Sequence, residues 1–261
     1  MTATDRQEVL WALVERQARE VEALGREAGL PYIAVSADIG STEPMLGRDG
    51  HPLAETLFRW IDPDLAYWRD RGFALRAPFV LAARYMAEPF FYSEGRFGAW
   101  RPSAPLGAIE VATSAAEHGV EAAIISPVHL PGGAIAAVVW ATPERGPPIE
   151  DRFAAFAARM HWATTRLMGA YQDVRGAAVA APIAKLTRRE IQCLKWAAAG
   201  KTDALIAELM SVSAPTVRFH MKNAAQKLGA YGRSQTVRAA TMLGYVSGPP
   251  GGGSGFSSAR R

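Results

Sequence analysis

Between residues 4 and 28 the apolar positions Val9, Leu10, Leu13, Val14, Val21 and Leu24 recur at helical spacing among charges. That spacing predicts an amphipathic helix, which Pro31 ends. YIAVSADIG (32–40) is a β-rich apolar run closed by a glycine and reads as a first strand. A helical pattern around Leu57, Trp60 and Leu65 covers 52–70, with Asp62-Pro63 interrupting it. APFVLAARYMAEPFFY (77–92) predicts a helix that opens after Pro78 and stops near Pro89. ATSAAEHGV (112–120) reads as a short helix ending at Gly119. EAAIISPVHL (121–130) and GAIAAVVWAT (133–142) read as two strands joined by the turn Pro131-Gly132-Gly133. Residues 148–174 predict a long helix, with Phe153, Phe156, Met160, Trp162, Leu167 and Tyr171 as its bulky apolar contacts. Helices alternating with antiparallel strands imply helices on both faces of a sheet, an α/β/α sandwich.

The pattern changes character after residue 186. LTRREIQCLKWAAAGKTDALIAELMSVSAPTVRFHMKNAAQKL (186–228) holds three helical patterns with almost no loop between them. The first runs from about Arg188 to Ala199. Thr187 and Glu190 stand in capping-box spacing, and Gly200 provides the stop. Glu190 could equally make a salt bridge in the core. Ile191, Leu194 and Trp196 are expected to face inward, wholly or partly. Thr202 caps the second helix, whose expected apolar face is Leu205, Ile206 and Leu209. Met210-Ser211-Val212 makes a tight turn. Ser213 caps the third helix, with Pro215 in its first turn, where a missing N–H costs nothing. Val217, Met221, Ala224 and Leu228 hold that helix to its neighbours, and a fourth helix follows over about Ser234–Leu243. Support helix, scaffold helix, turn and basic third helix make a helix-turn-helix. The chain is therefore expected to be α+β. Its parts are a sensor domain at 1–174, a linker at 175–185, a four-helix DNA-binding domain at 186–246 and a disordered Gly/Ser/Pro-rich tail at 247–261.

Charge agrees with that division. Residues 183–246 carry ten Lys/Arg against three Asp/Glu, a balance of +7, whereas residues 1–182 carry seventeen against twenty-two, a balance of −5. A small basic module on a mildly acidic partner suits double-stranded DNA. On the third helix Thr216, Arg218, Phe219, Lys222 and Asn223 lie off the core face. Arg and Lys grip phosphate or read guanine edges, and Asn reads adenine. A solvated helix face is the plain alternative for any one of them. Arg218 and Lys222, four apart on the N-terminal half, favour contact. Ser213 at the cap and Lys201 at the start of the scaffold helix complete the candidate DNA-binding set.

At these residues the chain resembles the LuxR-type transcriptional regulators. LTRRE, AAGKT, IAELM, the S..TV..H run and KLGA carry the likeness over 186–236, and Glu190, Leu194 and Gly200 fall on near-hallmark positions. The resemblance implies operator contacts at Arg218 and Lys222. RDRGFALRAPFV (69–80) with EPFFY (88–92) resembles, more weakly, the acyl-homoserine-lactone-binding domain of quorum-sensing members. That implies an α/β/α sandwich holding a lactone between sheet and helices. The family's ligand motif of Trp, Tyr, Asp-Pro and Trp falls, without gaps, on Asp64, Trp68, Ala77-Pro78 and Tyr92. Only the proline is kept. The motif's aspartate accepts the ligand's amide N–H, and Ala77 has nothing to accept it with. Trp60, Asp64, Trp68, Ala77, Tyr92 and Trp100 are the candidate pocket residues.

Two readings of the sensor domain stay open: a receptor with altered or absent lactone recognition, taking a small apolar or aromatic ligand, and a degenerate sensor whose own side chains fill it. A homodimer is expected, since a single helix-turn-helix offers little contact. The helix at 148–174, with Phe156 and Trp162, is the candidate interface. The five histidines form no HxxxH or HExxH pair, the serines lack a nucleophile elbow, and GPPGGGSG lacks a P-loop's Lys-Ser/Thr, so no enzyme, cofactor or metal is expected. The single cysteine, Cys193, reads as a small buried hydrophobe. No secretory signal or membrane-spanning run is evident, and the expected location is the cytoplasm.

Overall fold

In the first helix, α1 (Ala3–Glu27), the Thr2 side chain accepts from the Asp5 N–H while the Asp5 carboxylate accepts from the Thr2 N–H, a complete capping box. The computed structural model describes residues 2–62, 64, 77–109, 119–176 and 184–246. Trp68, most of the helix expected at 112–120, residues 177–183 of the linker and the whole tail lie outside the described residues. The chain divides into two compact units, 1–177 and 178–261.

Unit one is built on a five-stranded antiparallel sheet of order β1-β5-β4-β2-β3, with β1 at Tyr32–Ser36, β2 at Phe90–Ser93, β3 at Arg96–Gly98, β4 at Ala122–His129 and β5 at Ile135–Thr142. The central pair is the one joined by Pro131-Gly132-Gly133; Gly132 and Gly133 both adopt positive φ there, at 93° and 84°. Alternate side chains go to opposite faces. Ile33, Ala122, Ile124, Val138 and Trp140 join one apolar layer, and Ala123, Ile125, Phe90, Tyr92 and Ala141 join another. β4 is buried from Ala122 to Val128, as a strand covered on both faces must be.

The first layer is closed by α1 and the long helix α5 (Ile149–Val174), which run antiparallel. Arg159 pairs with Glu27, Arg166 with Glu20, and Gln7 donates to the Val174 carbonyl. The Trp140 indole N–H donates to the Val21 carbonyl at 2.9 Å and ties β5 to α1. Gly25 permits that approach, because a Cβ there would lie 2.8 Å from Trp140 and from the Leu30 carbonyl oxygen. Short helices follow the chain elsewhere: α2 (Leu53–Thr56), α3 (Pro78–Tyr85) and α4 (Ala104–Ala108). Phe79 from α3 and Leu106 from α4 enter the second layer.

Two expectations are corrected here. The pattern over 52–70 gives helix only at Leu53–Thr56 among the described residues. Val9 is 60% exposed and Trp162 62% exposed, so neither is a core residue. The helix expected to open after Pro78 and stop near Pro89 runs Pro78–Tyr85; the chain then enters β2, and a Glu94-Gly95 turn leads to β3.

Among the described residues unit two has only helices: α6 (Arg188–Ala198), α7 (Asp203–Met210), α8 (Ala214–Lys227) and α9 (Gly232–Met242). Cys193, Leu194, Ile206, Val217, Met221, Ala224 and Ala240 form its core.

Candidate nucleic-acid interface and ligand cavity

Side-chain caps start the first three helices of unit two. Thr187 accepts from the Glu190 N–H, and Glu190 returns the bond from the Thr187 N–H at 2.7 Å. Glu190 also makes the salt bridge: both carboxylate oxygens lie 2.9 Å from Lys227 Nζ. Burial would raise its carboxyl, but the Thr187 N–H and the Lys227 ammonium outweigh that and hold it below the usual carboxylate range. Thr202 caps α7 by accepting from the Leu205 N–H. Ser211 closes α7 in the left-handed region, at φ 53°, and the Val212 N–H donates to the Ala207 carbonyl. Ser213 then caps α8 through the Thr216 N–H at 3.2 Å, with Pro215 in the first turn. Arg233 of α9 clamps the start of α7 by reaching both the Asp203 carboxylate and the Lys201 carbonyl. Arg233 lies within the stretch that carries the family likeness, but its role as a clamp on α7 is visible only in the packing.

These caps and the core fix which face of α8 is free. Val217, Met221 and Ala224 are buried against α6 and α7. Pro215, Arg218, Phe219, Lys222 and Gln226 form the exposed stripe on the other side. Arg218 and Lys222 thus share one open face. Thr216 turns back to Ser213, with 2.8 Å between the two hydroxyl oxygens, and Asn223 is half-buried at the stripe's edge. Lys201 is half-buried at the head of α7.

The apolar face expected for α7 is corrected. Ile206 and Ala207 are buried, while Leu205 and Leu209 are 38% and 48% exposed. Of the three residues expected inward on α6, Leu194 is fully buried and Ile191 half-buried, while Trp196 is 37% exposed; Cys193 and Ala197 join Leu194 in the core. The Cys193 thiol lies 3.7 Å from the Met210 sulfur, and burial raises it above the ordinary thiol range.

In unit one, a cavity of about 80 Å³ lies between β1, β5 and the start of α3, lined by residues that include Ile39, Trp60, Ala77, Phe79, Val80 and Val139. It brings together two of the six candidate pocket residues, Trp60 and Ala77. Ala77 is the N-cap of α3 and makes no side-chain bond there. No carboxylate lines the cavity among the described residues. Tyr92 is buried in the same apolar layer but not on the cavity wall. Its ring stands edge-on to Phe79 at 5.3 Å and to Phe97 at 5.9 Å, and burial raises its hydroxyl. Asp64 is exposed. Trp100 stands apart: it is 67% exposed, donates to Glu88 at 2.5 Å, and lines a separate groove with Phe91, Phe153 and His161 beside α5. The alternation of β5, which sends Ala137 and Val139 to one side, was the signal that could have located the cavity wall.

Comparison with known proteins decides what these two units are. Residues 14–171 match the model of the autoinducer binding domain, and residues 184–240 match that of the luxR family of bacterial regulatory proteins. The chain belongs to the luxR family. This family comprises transcriptional regulators and is not an enzyme family. The LuxR-type chain is 48% identical over 68 residues to the transcriptional activator protein VanR of Vibrio anguillarum, covering 26% of this chain and 28% of that protein. It is 41% identical over 102 residues to the quorum sensing-dependent regulator VjbR of Brucella abortus, covering 38% and 39%. It is 32% identical over 163 residues to the quorum sensing-dependent regulator RpaR of Rhodopseudomonas palustris, covering 60% and 61%. The chain thus matches less than two thirds of each relative's length. A solved structure of SdiA in complex with octanoyl-rac-glycerol is 21% identical, with a TM-score of 0.47, covering 94% of this chain and 97% of that one. No described helix of the LuxR-type chain is long and apolar enough to cross a membrane.

Proposed function

We propose that this LuxR-type regulator binds double-stranded DNA as a homodimer through α8, and that its sensor domain has lost ordinary acyl-homoserine-lactone recognition. Arg218 and Lys222 on one open face of a capped recognition helix support the first part. Ser213 and Thr216 hold the start of that helix, Lys201 offers a phosphate contact at the head of α7, and Asn223 reads a base only at the margin of the interface.

The observation that carries the second part is Ala77, which lines the apolar cavity beside Trp60 and falls on the position of the family motif's aspartate, the acceptor for the lactone's amide N–H. An amide buried there unpaired costs about 1–3 kcal/mol. The sensor is then a solo receptor for a small apolar or aromatic molecule that needs no carboxylate. A second reading, a constitutive regulator with a self-filled sensor, is favoured by one observation. About 80 Å³ is well below the roughly 300 Å³ at which ligand pockets begin. Thermal unfolding of the full chain with candidate ligands separates the two. A molecule that binds only the native state raises the midpoint by mass action. A midpoint unmoved by every apolar and aromatic candidate supports the self-filled sensor.

A further inference from the structure

Phe219 is the one aromatic ring on the exposed stripe of α8. It is 60% exposed and is not part of the apolar core of unit two. Its only described ring contact is the neighbouring His220, with centroids 5.7 Å apart and the rings tilted at 64°. The core face of the helix is filled by Val217, Met221 and Ala224, so packing does not call for a phenylalanine here. Its place on the stripe is specific. Phe219 stands one helical turn from Pro215 and from Lys222, with Arg218 beside it, so the ring is set among the helix's free cations. A major groove that receives Arg218 and Lys222 receives this ring too. The groove offers one apolar group at base-pair level, the C5-methyl of thymine.

We infer that Phe219 is a specificity-determining residue: its ring packs on a thymine methyl in each half-site and makes the protein discriminate thymine from bases lacking that methyl. Arg218 and Lys222 supply grip and polar readout, and Phe219 supplies an apolar check between them. This inference rests on the DNA-binding reading above. It adds a contact that charge alone does not provide, since a phosphate-gripping helix works equally well with a small polar residue at 219.

The test uses the full chain and a site enriched by it from a random duplex pool. Each thymine of the site is replaced in turn by deoxyuridine, which removes the methyl and leaves the pairing edge unchanged. Wild-type protein is expected to lose about fourfold in affinity at one thymine per half-site, the value of one buried methyl. Phe219→Ala is expected to bind thymine and uracil duplexes equally, while Arg218→Ala binds more weakly overall but keeps the discrimination. Phe219 is exposed and alanine favours helix, so the variant is expected to fold, which circular dichroism checks. Equal wild-type affinity for every thymine and uracil pair overturns the inference. So does discrimination that persists in Phe219→Ala. Failure of wild-type protein to enrich any duplex removes the DNA-binding reading itself, and the inference with it.

Discussion

The Glu190 carboxylate, whose side chain is 3% exposed, sits 2.9 Å from the Lys227 ammonium and joins the first turn of α6 to the last turn of α8. The same carboxylate completes the α6 capping box, so one side chain satisfies a helix start and anchors the recognition helix. Glu190→Ala removes both functions and leaves the Lys227 cation without its partner. We expect a loss of about 2–3 kcal/mol in the stability of unit two, less than for a fully buried pair because Lys227 is 37% exposed. Urea unfolding followed by helix content measures it. The pH dependence has a definite sign. The folded carboxyl lies below its ordinary range, so its stabilisation is complete above that range and is lost as pH falls below it, through the lowered folded value. The gap between wild type and Glu190→Gln therefore closes in acid.

Gln17 carries the opposite kind of relationship. It is 1% exposed on α1, and neither its amide oxygen nor its amide nitrogen has a hydrogen-bond partner among the described residues. Leucine is apolar and close in volume. Gln17→Leu is expected to stabilise unit one by about 1–2 kcal/mol by removing the desolvation cost of an unpaired amide. Calorimetric unfolding should show a rise of about 2–4 °C for each kcal/mol. A lower midpoint would mean that the amide has partners in solution.

The helix-turn-helix was legible because its punctuation is local. Thr187, Thr202 and Ser213 each precede a helix and cap it as their positions suggest. The buried face of α7 was not legible, because Leu205, Ile206, Ala207, Leu209 and Met210 place apolar side chains nearly all round eight residues. Only packing shows that Ile206 and Ala207 are the buried ones. The β2–β3 hairpin was missed for a different reason. Pro89 read as a helix stop, and the turn at Glu94-Gly95 uses positive φ at both residues, 50° and 76°, with a glutamate in the place usually held by Asn or Asp. The two-residue spacing between YS and RF was the available signal. In the candidate pocket, resemblance led to Ala77, whereas Trp100 falls on no position of the family's ligand motif. The third dimension separates them, since the sheet stands between the two apolar layers.

Arg218→Ala and Lys222→Ala are each expected to weaken specific DNA binding by about 1–3 kcal/mol if they read bases. If Lys222 grips phosphate, its loss lowers the slope of log K against log salt by about one unit. Fluorescence anisotropy across a salt series distinguishes the two. Unchanged binding in both variants would remove these residues from the interface.

Trp162 is 62% exposed on α5, with Phe156 half-buried six residues before it. Replacing Trp162 with alanine is expected to shift a dimer towards monomer and to weaken binding to a two-half-site duplex more than to a single half-site. Light scattering at micromolar concentration reads the mass. A wild-type protein that stays monomeric with and without DNA contradicts the dimer.

The central claim is that a LuxR-type sensor with Ala77 at its cavity no longer takes the ordinary lactone. Titration calorimetry of the full chain against short- and long-chain acyl-homoserine lactones tests it directly. An unpaired amide and a changed aromatic wall together cost about 4 kcal/mol, roughly a thousandfold in affinity. We expect no measurable heat at micromolar lactone, and none for Ala77→Asp, since the residues at 64, 68 and 92 also differ from the family's motif. A sub-micromolar Kd for any unmodified acyl-homoserine lactone would contradict the account.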